Sequence, residues 1–317
     1  MFETAFIVGP TCAGKSGLAA GFARFVFAKK NISCEVVSCD SMQIYRYMDI
    51  GTAKPSKDEQ KIVPYHMIDV VDITGEYNVA KFVSDAQKSI SEIKERNHLP
   101  LVVGGTGMYF RALADGLFDG PTADLKIRER LEGEAEKNGV SFLFAKLGEV
   151  DKISAAKIEP TDKRRIIRAL EVYYSSGRPI SEYQTQWGKK KDVKVIGITR
   201  ERADLYDRIN ERVDEMFKNG LVDEVKRLEE LGLRSNKTAG QALGYKELLE
   251  YLDGKCGLEE AKELIKTHTR QYAKRQLTWF RRDERVKWIE IKKSENEESV
   301  VKRIYEQFSR YNHKTAI

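Results

Sequence analysis

Cysteine and histidine are both scarce in this chain, with four of each among 317 residues. The cysteines, Cys12, Cys34, Cys39 and Cys256, contain no CxxC pair, so a zinc centre or dithiol redox motif has too little to draw on. They read as free thiols of a reducing compartment. No apolar run approaches the roughly 18–20 residues that span a bilayer. The opening residues, MFETAFIVGP, carry no basic stretch ahead of their apolar ones, unlike a secretory signal. Internal repeats and low-complexity tracts are missing too. These absences predict a cytoplasmic protein with no membrane partner. Nor is there a large charge excess: 55 basic against 49 acidic residues leave +6. With 41% hydrophobic residues the chain is long and apolar enough for a substantial core.

What is present begins with GPTCAGKS, Gly9 to Ser16, which fits the Walker A pattern. The apolar run Thr4–Val8 feeds into it, and Ser16–Lys29 carries apolar residues at helical spacing. Strand, glycine loop, helix is the setting a P-loop needs. Glycines let backbone N–H groups turn around phosphate oxygens, and the helix N-terminus adds its positive dipole end. Gly9, Thr11, Cys12, Ala13, Gly14, Lys15 and Ser16 are therefore candidate diphosphate ligands. Lys15 supplies a charge, and the Ser16 hydroxyl is a candidate Mg²⁺ ligand. By motif alone the site would be ATP-binding.

Further strands are expected at Cys34–Ser38, Met67–Val71, Leu99–Val103, Val193–Thr199 and Val286–Ile291, with helices between, notably Val79–Arg96. That alternation predicts an α/β fold, a parallel sheet flanked by helices. Strand signals vanish over 116–191. There Leu125, Leu131 and Ala135 mark one helix, and Thr161 is placed to cap a second that carries Ile166, Ile167, Leu170 and Tyr174 and stops at Gly177. This is an all-helical insertion, leaving 1–115 and 192–317 as the core. A long helix with Leu205, Ile209, Val213 and Met216 on one face ends at Gly220. More helices are expected over about 221–231, 240–252 and 257–282, and one from SENEESV.

Three groups could carry chemistry. Asp40 closes the second strand, at the sheet edge that faces ligands in open parallel sheets. It could hold Mg²⁺ or act as a general base. Leu101–Phe110, LVVGGTGMYF, ends a strand in glycines and Thr106, which would let a flat substrate approach the backbone. Arg208 and Arg212 share a helix face at i, i+4 and could clamp a leaving diphosphate, or pair with Asp204, Asp207, Glu211 or Glu215. Basic residues then cluster twice: Lys163, Arg164, Arg165 and Arg168 in the insertion, and Lys266, Arg270, Lys274, Arg275, Arg281, Arg282, Arg285 and Lys287 near the C-terminus, interleaved with Tyr272, Trp279 and Phe280. Lys266, Arg270 and Lys274 form a stripe. Charge with planar groups suits a nucleic acid.

GPTCAGKS, CDSMQIYRYMDIGTAKP, GGTGMYF, DKRRIIRALEVY, QALGYKE and TRQYAKRQLTWFR occur in an order that resembles the tRNA dimethylallyltransferases (tRNA isopentenyltransferases), and the chain looks like a bacterial form. The resemblance implies a P-loop kinase-like core whose loop holds dimethylallyl diphosphate instead of ATP. It implies Mg²⁺-assisted transfer of the dimethylallyl group to N6 of adenosine 37, beside the tRNA anticodon, with pyrophosphate leaving. It assigns Asp40 as general base and Arg212, not Arg208, to pyrophosphate, with Lys15 and Ser16 on diphosphate and metal. The insertion is implied to grip the anticodon stem-loop. Implied tRNA contacts are Asp40, Ser41, Met42 and Gln43; Gly105 and Thr106; Arg164, Arg165 and Arg168; Gln241, Gly244, Tyr245 and Lys246; and Lys274, Arg275, Gln276 and Arg281. Cys12 stands where alanine is common. A small-metabolite kinase gives no reason for two basic clusters. A nucleotide-bound RNA switch leaves Asp40 and the arginines without a task.

Overall fold

The computed structural model describes residues 3–117, 120–185 and 191–310. They begin with β1 (Ala5–Val8), α1 (Lys15–Lys30), β2 (Cys34–Cys39), α2 (Lys57–Ile62), β3 (Tyr65–His66), α3 (Val79–Glu95), β4 (Leu99–Gly104) and α4 (Gly107–Asp115). The next elements are all helices: α5 (Leu125–Asn138), α6 (Val140–Val150), α7 (Lys152–Ala155), α8 (Lys163–Ser176) and α9 (Ile180–Thr185). Then come β5 (Lys194–Arg200), α10 (Arg202–Lys218), α11 (Leu221–Glu230), α12 (Tyr245–Leu252), α13 (Leu258–Arg281), β6 (Val286–Ile291) and α14 (Glu297–Arg310). The chain divides into two compact units, Met1–Ala114 with Asp192–Ile317, and Asp115–Lys191. No helix among the described residues is long and apolar enough to cross a membrane.

The first unit holds a six-stranded sheet in the order β3-β2-β4-β1-β5-β6, with every neighbouring pair parallel. β1, β2 and β4 are buried along their whole length, as strands covered on both faces must be. One face packs Ile7, Val36 and Leu101 against Phe22 of α1 and Phe308 of α14. The other packs Phe6 and Val102 against Phe82, Phe110 and Phe280. Each such buried side chain contributes roughly 1.5–3 kcal/mol. The parallel arrangement brings the C-terminal ends of β1, β2, β4 and β5 to one edge.

Met67–Val71 departs from the expected strand. Met67 and Asp69 sit at φ 63° and 55°, which breaks extended pairing, and the third strand is only Tyr65–His66. The apolar run is still buried through Met67. Val70 and Val71 donate their N–H groups to the Ile44 carbonyl, an irregular substitute for a ladder. The helix expected over 240–252 starts only at Tyr245, after a 3₁₀ turn at Ala239–Gln241.

In the second unit, Leu131, Leu143, Leu147, Ile166 and Leu170 form the core. The cap of α8 is Asp162, one residue beyond Thr161: its side chain accepts the Arg165 N–H, and Gly177 ends the helix at φ 71°. Leu125 and Tyr174 lie outside this core, 67% and 39% exposed. Glu171 is fully buried and neutralised by Arg128 and Arg168, both at 2.9 Å.

Candidate active site

The loop from β1 into α1 is set by close packing. Gly9 has φ +146°, and a Cβ there would lie 2.3 Å from the Ile198 carbonyl oxygen on β5. Cys12 takes a left-handed φ of 61° with its side chain buried among Leu205, Ile209 and Ala273. No side chain caps the N-terminus of α1, which leaves its first N–H groups for an anion. Lys15 donates its Nζ to the Pro10 carbonyl at 2.7 Å. Burial first, and the Arg212 charge second, hold its ammonium down to about 8, against an upward pull from Asp40. Ser16 is exposed at the mouth.

Three arginines converge on this loop from β5 and α10. Arg200 Nε donates to the Ala13 carbonyl at 3.1 Å, and its NH1 pairs with buried Asp204 at 2.9 Å. Arg208 Nε donates to the Cys12 carbonyl at 3.1 Å. Arg212 NH1 reaches Thr11 Oγ1 at 3.4 Å. Of the four acids that the helix spacing offered to the arginine pair, Asp204 is taken by Arg200 and Asp207 lies 3.6 Å from Lys293. Arg200 was missed by sequence reasoning. It ends β5 at the same sheet edge as Asp40 ends β2, and that edge argument would have found it.

From α13, Gln276 spans to the loop. Its Oε1 accepts the Thr11 N–H at 2.8 Å and its Nε2 donates to the Gly105 carbonyl at 2.9 Å. It is 6% exposed, so this residue ties the loop to the end of β4 instead of facing outward. The glycines of GGTG serve the same closeness. A Cβ on Gly104 would meet the Cys39 carbonyl oxygen at 2.1 Å, one on Gly105 the Gln276 amide at 2.2 Å, and one on Gly107 the Trp279 ring at 2.3 Å. They admit protein groups, and Gly104 and Gly105 also border the cavity at the glycine loop.

Across from the loop, Asp40 Oδ1 accepts the N–H of Met42 at 2.8 Å and of Gln43 at 3.4 Å. Ser41 donates its N–H to Thr106 Oγ1 at 3.1 Å. Tyr272 lines the same two cavities as Asp40. Burial first, then the Asp40 charge, push its phenol well above the ordinary value.

Two cavities meet here. One, of about 790 Å³, is lined by Thr11, Gly14, Lys15, Ser16 and the three arginines. The second, of about 370 Å³, is lined by Met42, Ile209, Val213, Met216, Leu243 and Ile265. Thr11, Asp40, Arg212 and Tyr272 line both. A cation-lined chamber at the glycine loop and an apolar one therefore share an acid and a cation at their junction.

The remaining candidates are spread around this junction. Gln241, Lys246, Lys274, Arg275 and Arg281 are exposed; Gly244 and Tyr245 are less so, and both line the second cavity, with Tyr245 fully buried. Arg164 and Arg165 lie on the first turn of α8 with Arg165 exposed, whereas Arg168 is tied to Glu171 and to the Pro121 carbonyl. The expected stripe divides: Lys266 pairs with Asp214 and Glu263, Arg270 bonds Asn210 and Thr267, and Lys274 is exposed.

Sheet order, glycine loop and helical second unit together define a P-loop α/β protein with an inserted helical unit. The profile of the IPP transferase family matches residues 43–283. The chain belongs to the IPP transferase family. It is 48% identical over 307 residues to a tRNA dimethylallyltransferase of Carboxydothermus hydrogenoformans, covering 95% of this chain and 96% of that one. It is 47% identical to that of Caldanaerobacter subterraneus, covering 96% of each. Among solved structures it is similar to the tRNA isopentenylpyrophosphate transferase of Bacillus halodurans, with TM-score 0.69 and 40% identity, covering 99% and 100% of the two chains. It is also similar to a eukaryotic dimethylallyltransferase described acting on tRNA, with TM-score 0.73 and 30% identity, covering 92% of this chain and 74% of that one.

Proposed function

We propose that this protein transfers the dimethylallyl group of dimethylallyl diphosphate to N6 of adenosine 37 in tRNA. The observation that carries this reading is the junction: Asp40 and Arg212 line both the phosphate chamber and the apolar one. The diphosphate lies on the loop N–H groups with Lys15 and Arg212, and the adenine enters beside Asp40. The N6 nitrogen forms a bond to the allylic carbon, the carbon–oxygen bond to diphosphate breaks, and pyrophosphate leaves. Lys15 and Arg212 stabilise the charge that grows on it. The N6 proton passes to the Asp40 carboxylate, whose Oδ1 is already held by two N–H groups, leaving Oδ2 for the amine.

Mg²⁺ fits this donor set. Among the described residues no group of three or more His, Cys, Asp or Glu could hold a metal. Ser16, with Asp40 nearby, suits an ion that takes one or two protein ligands and completes its shell with phosphate oxygens and water. When bound, the ion would add charge stabilisation on the leaving diphosphate.

tRNA contacts are assigned to the basic residues at the surface. Lys163, Arg164 and Arg165 occupy the first turn of α8, where cations oppose the helix dipole. Their placement costs helix stability and suits a polyanion. Lys274, Arg275 and Arg281 offer the same charge on α13.

The test mixes the protein with Mg²⁺, radiolabelled dimethylallyl diphosphate and unmodified tRNA. Label mapping to adenosine 37 without ATP supports the reading. Consumption of ATP against a small acceptor, with no label in RNA, overturns it.

A further inference from the structure

A buried carboxylate on α11 is held by four hydrogen-bond donors. Glu224, on α11, is 5% exposed. Its Oε2 accepts the N–H of Ile50 at 2.7 Å and of Asp49 at 3.1 Å, and its Oε1 accepts the N–H of Gly51 at 3.1 Å. The Tyr245 hydroxyl donates to Oε1 at 2.7 Å. Four donors fill this carboxylate, three of them consecutive backbone groups of one loop. Gly51 presses on the Tyr245 ring so closely that a Cβ would meet it at 2.5 Å. The loop thus has one seat, and the seat is charged.

The residues after Gly51 lead back to the base. The carbonyls of Thr52 and Ala53 accept from the Gln43 amide, at 3.2 and 3.3 Å. Gln43 Oε1 accepts from Ser38 Oγ at 2.8 Å. With its side chain held at both ends, Gln43 presents its backbone N–H to Asp40 Oδ1, next to that of Met42. The carboxylate that lines both cavities is therefore oriented by a chain of hydrogen bonds that starts on α11.

We propose that Glu224 is the anchor of a positioning relay, running through Gly51–Ala53 and Gln43, that fixes the Asp40 carboxylate for proton transfer. Glu224 touches no substrate. Its charge matters because three N–H groups converge on two oxygens; an amide would turn an NH₂ toward one of them. The inference rests on the transferase reading, so its test has one arm that needs no activity.

The variant is Glu224→Gln, with Ser38→Ala releasing the Gln43 amide at the other end of the relay without touching α11. Hydrogen exchange of peptides spanning 40–54 is compared with that of the β1–loop peptide. Single-turnover label transfer and the dissociation constants for dimethylallyl diphosphate and for tRNA are measured alongside. Both variants are expected to speed exchange at 40–54 at least ten-fold and leave the β1–loop peptide unchanged. The transfer rate falls ten-fold or more, while both dissociation constants stay within two-fold. Unchanged exchange at 40–54 overturns the relay. So does a rate loss matched by an equal loss of diphosphate or tRNA affinity. Accelerated exchange in a protein whose wild type transfers no label keeps the relay and removes the transferase reading.

Discussion

Arg208 donates its Nε–H to the carbonyl oxygen of Cys12 at 3.1 Å, one helical turn before Arg212 reaches the side chain of Thr11. The two arginines share a helix face but not a task. Arg208 holds the backbone of the glycine loop, as Arg200 does one residue further on at Ala13. Arg212 lines the second cavity as well as the first, and on the proposed reading its charge lies where the leaving diphosphate meets the incoming base. Arg212→Ala is expected to lower kcat about 10²-fold with little change in KM for dimethylallyl diphosphate, the loss typical of a donor aimed at developing charge. Arg208→Ala is expected to raise that KM and change kcat less. Steady-state kinetics of both variants checks this; the reverse pattern would exchange their roles.

Asp40 has one oxygen occupied by backbone N–H groups. On the proposed reading, Asp40→Ala removes the proton acceptor while the glycine loop, Lys15 and Arg212 remain. Turnover is expected to drop about 10²–10⁴-fold, the usual contribution of a general base. tRNA affinity, measured by filter binding, should stay within a few-fold. Turnover near wild type would remove Asp40 as the base.

Lys15 carries a pH dependence of defined sign. Its ammonium is held down to about 8 by burial and then by Arg212. It is charged below that value and neutral above. Affinity for dimethylallyl diphosphate is therefore highest below about 8 and falls as pH rises through that value. Calorimetry across the range reads this. Arg212→Ala should move the fall to higher pH, because it removes a neighbouring positive charge.

Parts of this site are local in sequence and parts are not. Strand, glycine loop and helix succeed one another within Ala5–Lys30, so this succession could be read directly. Asp40 was legible as the residue just past the end of β2, and the helices between Leu125 and Thr185 from their periodicity. The other parts depend on distant pairing. Gln276 meets Thr11 across 265 residues, and Arg200 reaches Ala13 only because β5 lies beside β1. No pattern in QALGYKE announces that Tyr245 is fully buried and bonded to Glu224. Periodicity also misread Met67–Val71, because positive φ at Met67 and Asp69 depends on tertiary contacts and not on side-chain type.

At the opposite edge of the sheet, Glu35 is buried and bonded to Arg96, His66 and His98, at 2.6 to 3.0 Å. Burial alone would push its carboxyl up, but the bonds from Arg96, His66 and His98 outweigh it and hold the group at about 2, below its ordinary 4.5. A depressed carboxyl contributes stability that is fully present above the unfolded value and is lost as pH falls toward the folded one. The wild type is therefore expected to lose stability progressively from about pH 4.5 toward 2. In Glu35→Gln this part of the acid dependence should be missing, so the gap between the two proteins narrows as pH drops. Urea titrations over that range measure the gap, and a constant gap would show that Glu35 titrates alike in both states.

The basic residues of α13 make a final contrast. Lys266 is bound to Asp214 at 3.0 Å and to Glu263 at 2.9 Å, and its Nζ already has acidic partners. Lys274, two turns on, is exposed. A phosphate contact releases counterions, so removing one flattens the salt dependence of binding by about one unit of slope. Lys274→Ala is expected to weaken tRNA binding and flatten the plot of log K against log salt. Lys266→Ala should leave the slope as it is and lower thermal stability instead, since it strips Asp214 of a partner shared with Lys262. Filter binding between roughly 50 and 300 mM KCl separates the two. If both slopes flatten equally, α13 presents one continuous phosphate-binding stripe, and the ion pairs to Asp214 open when tRNA arrives.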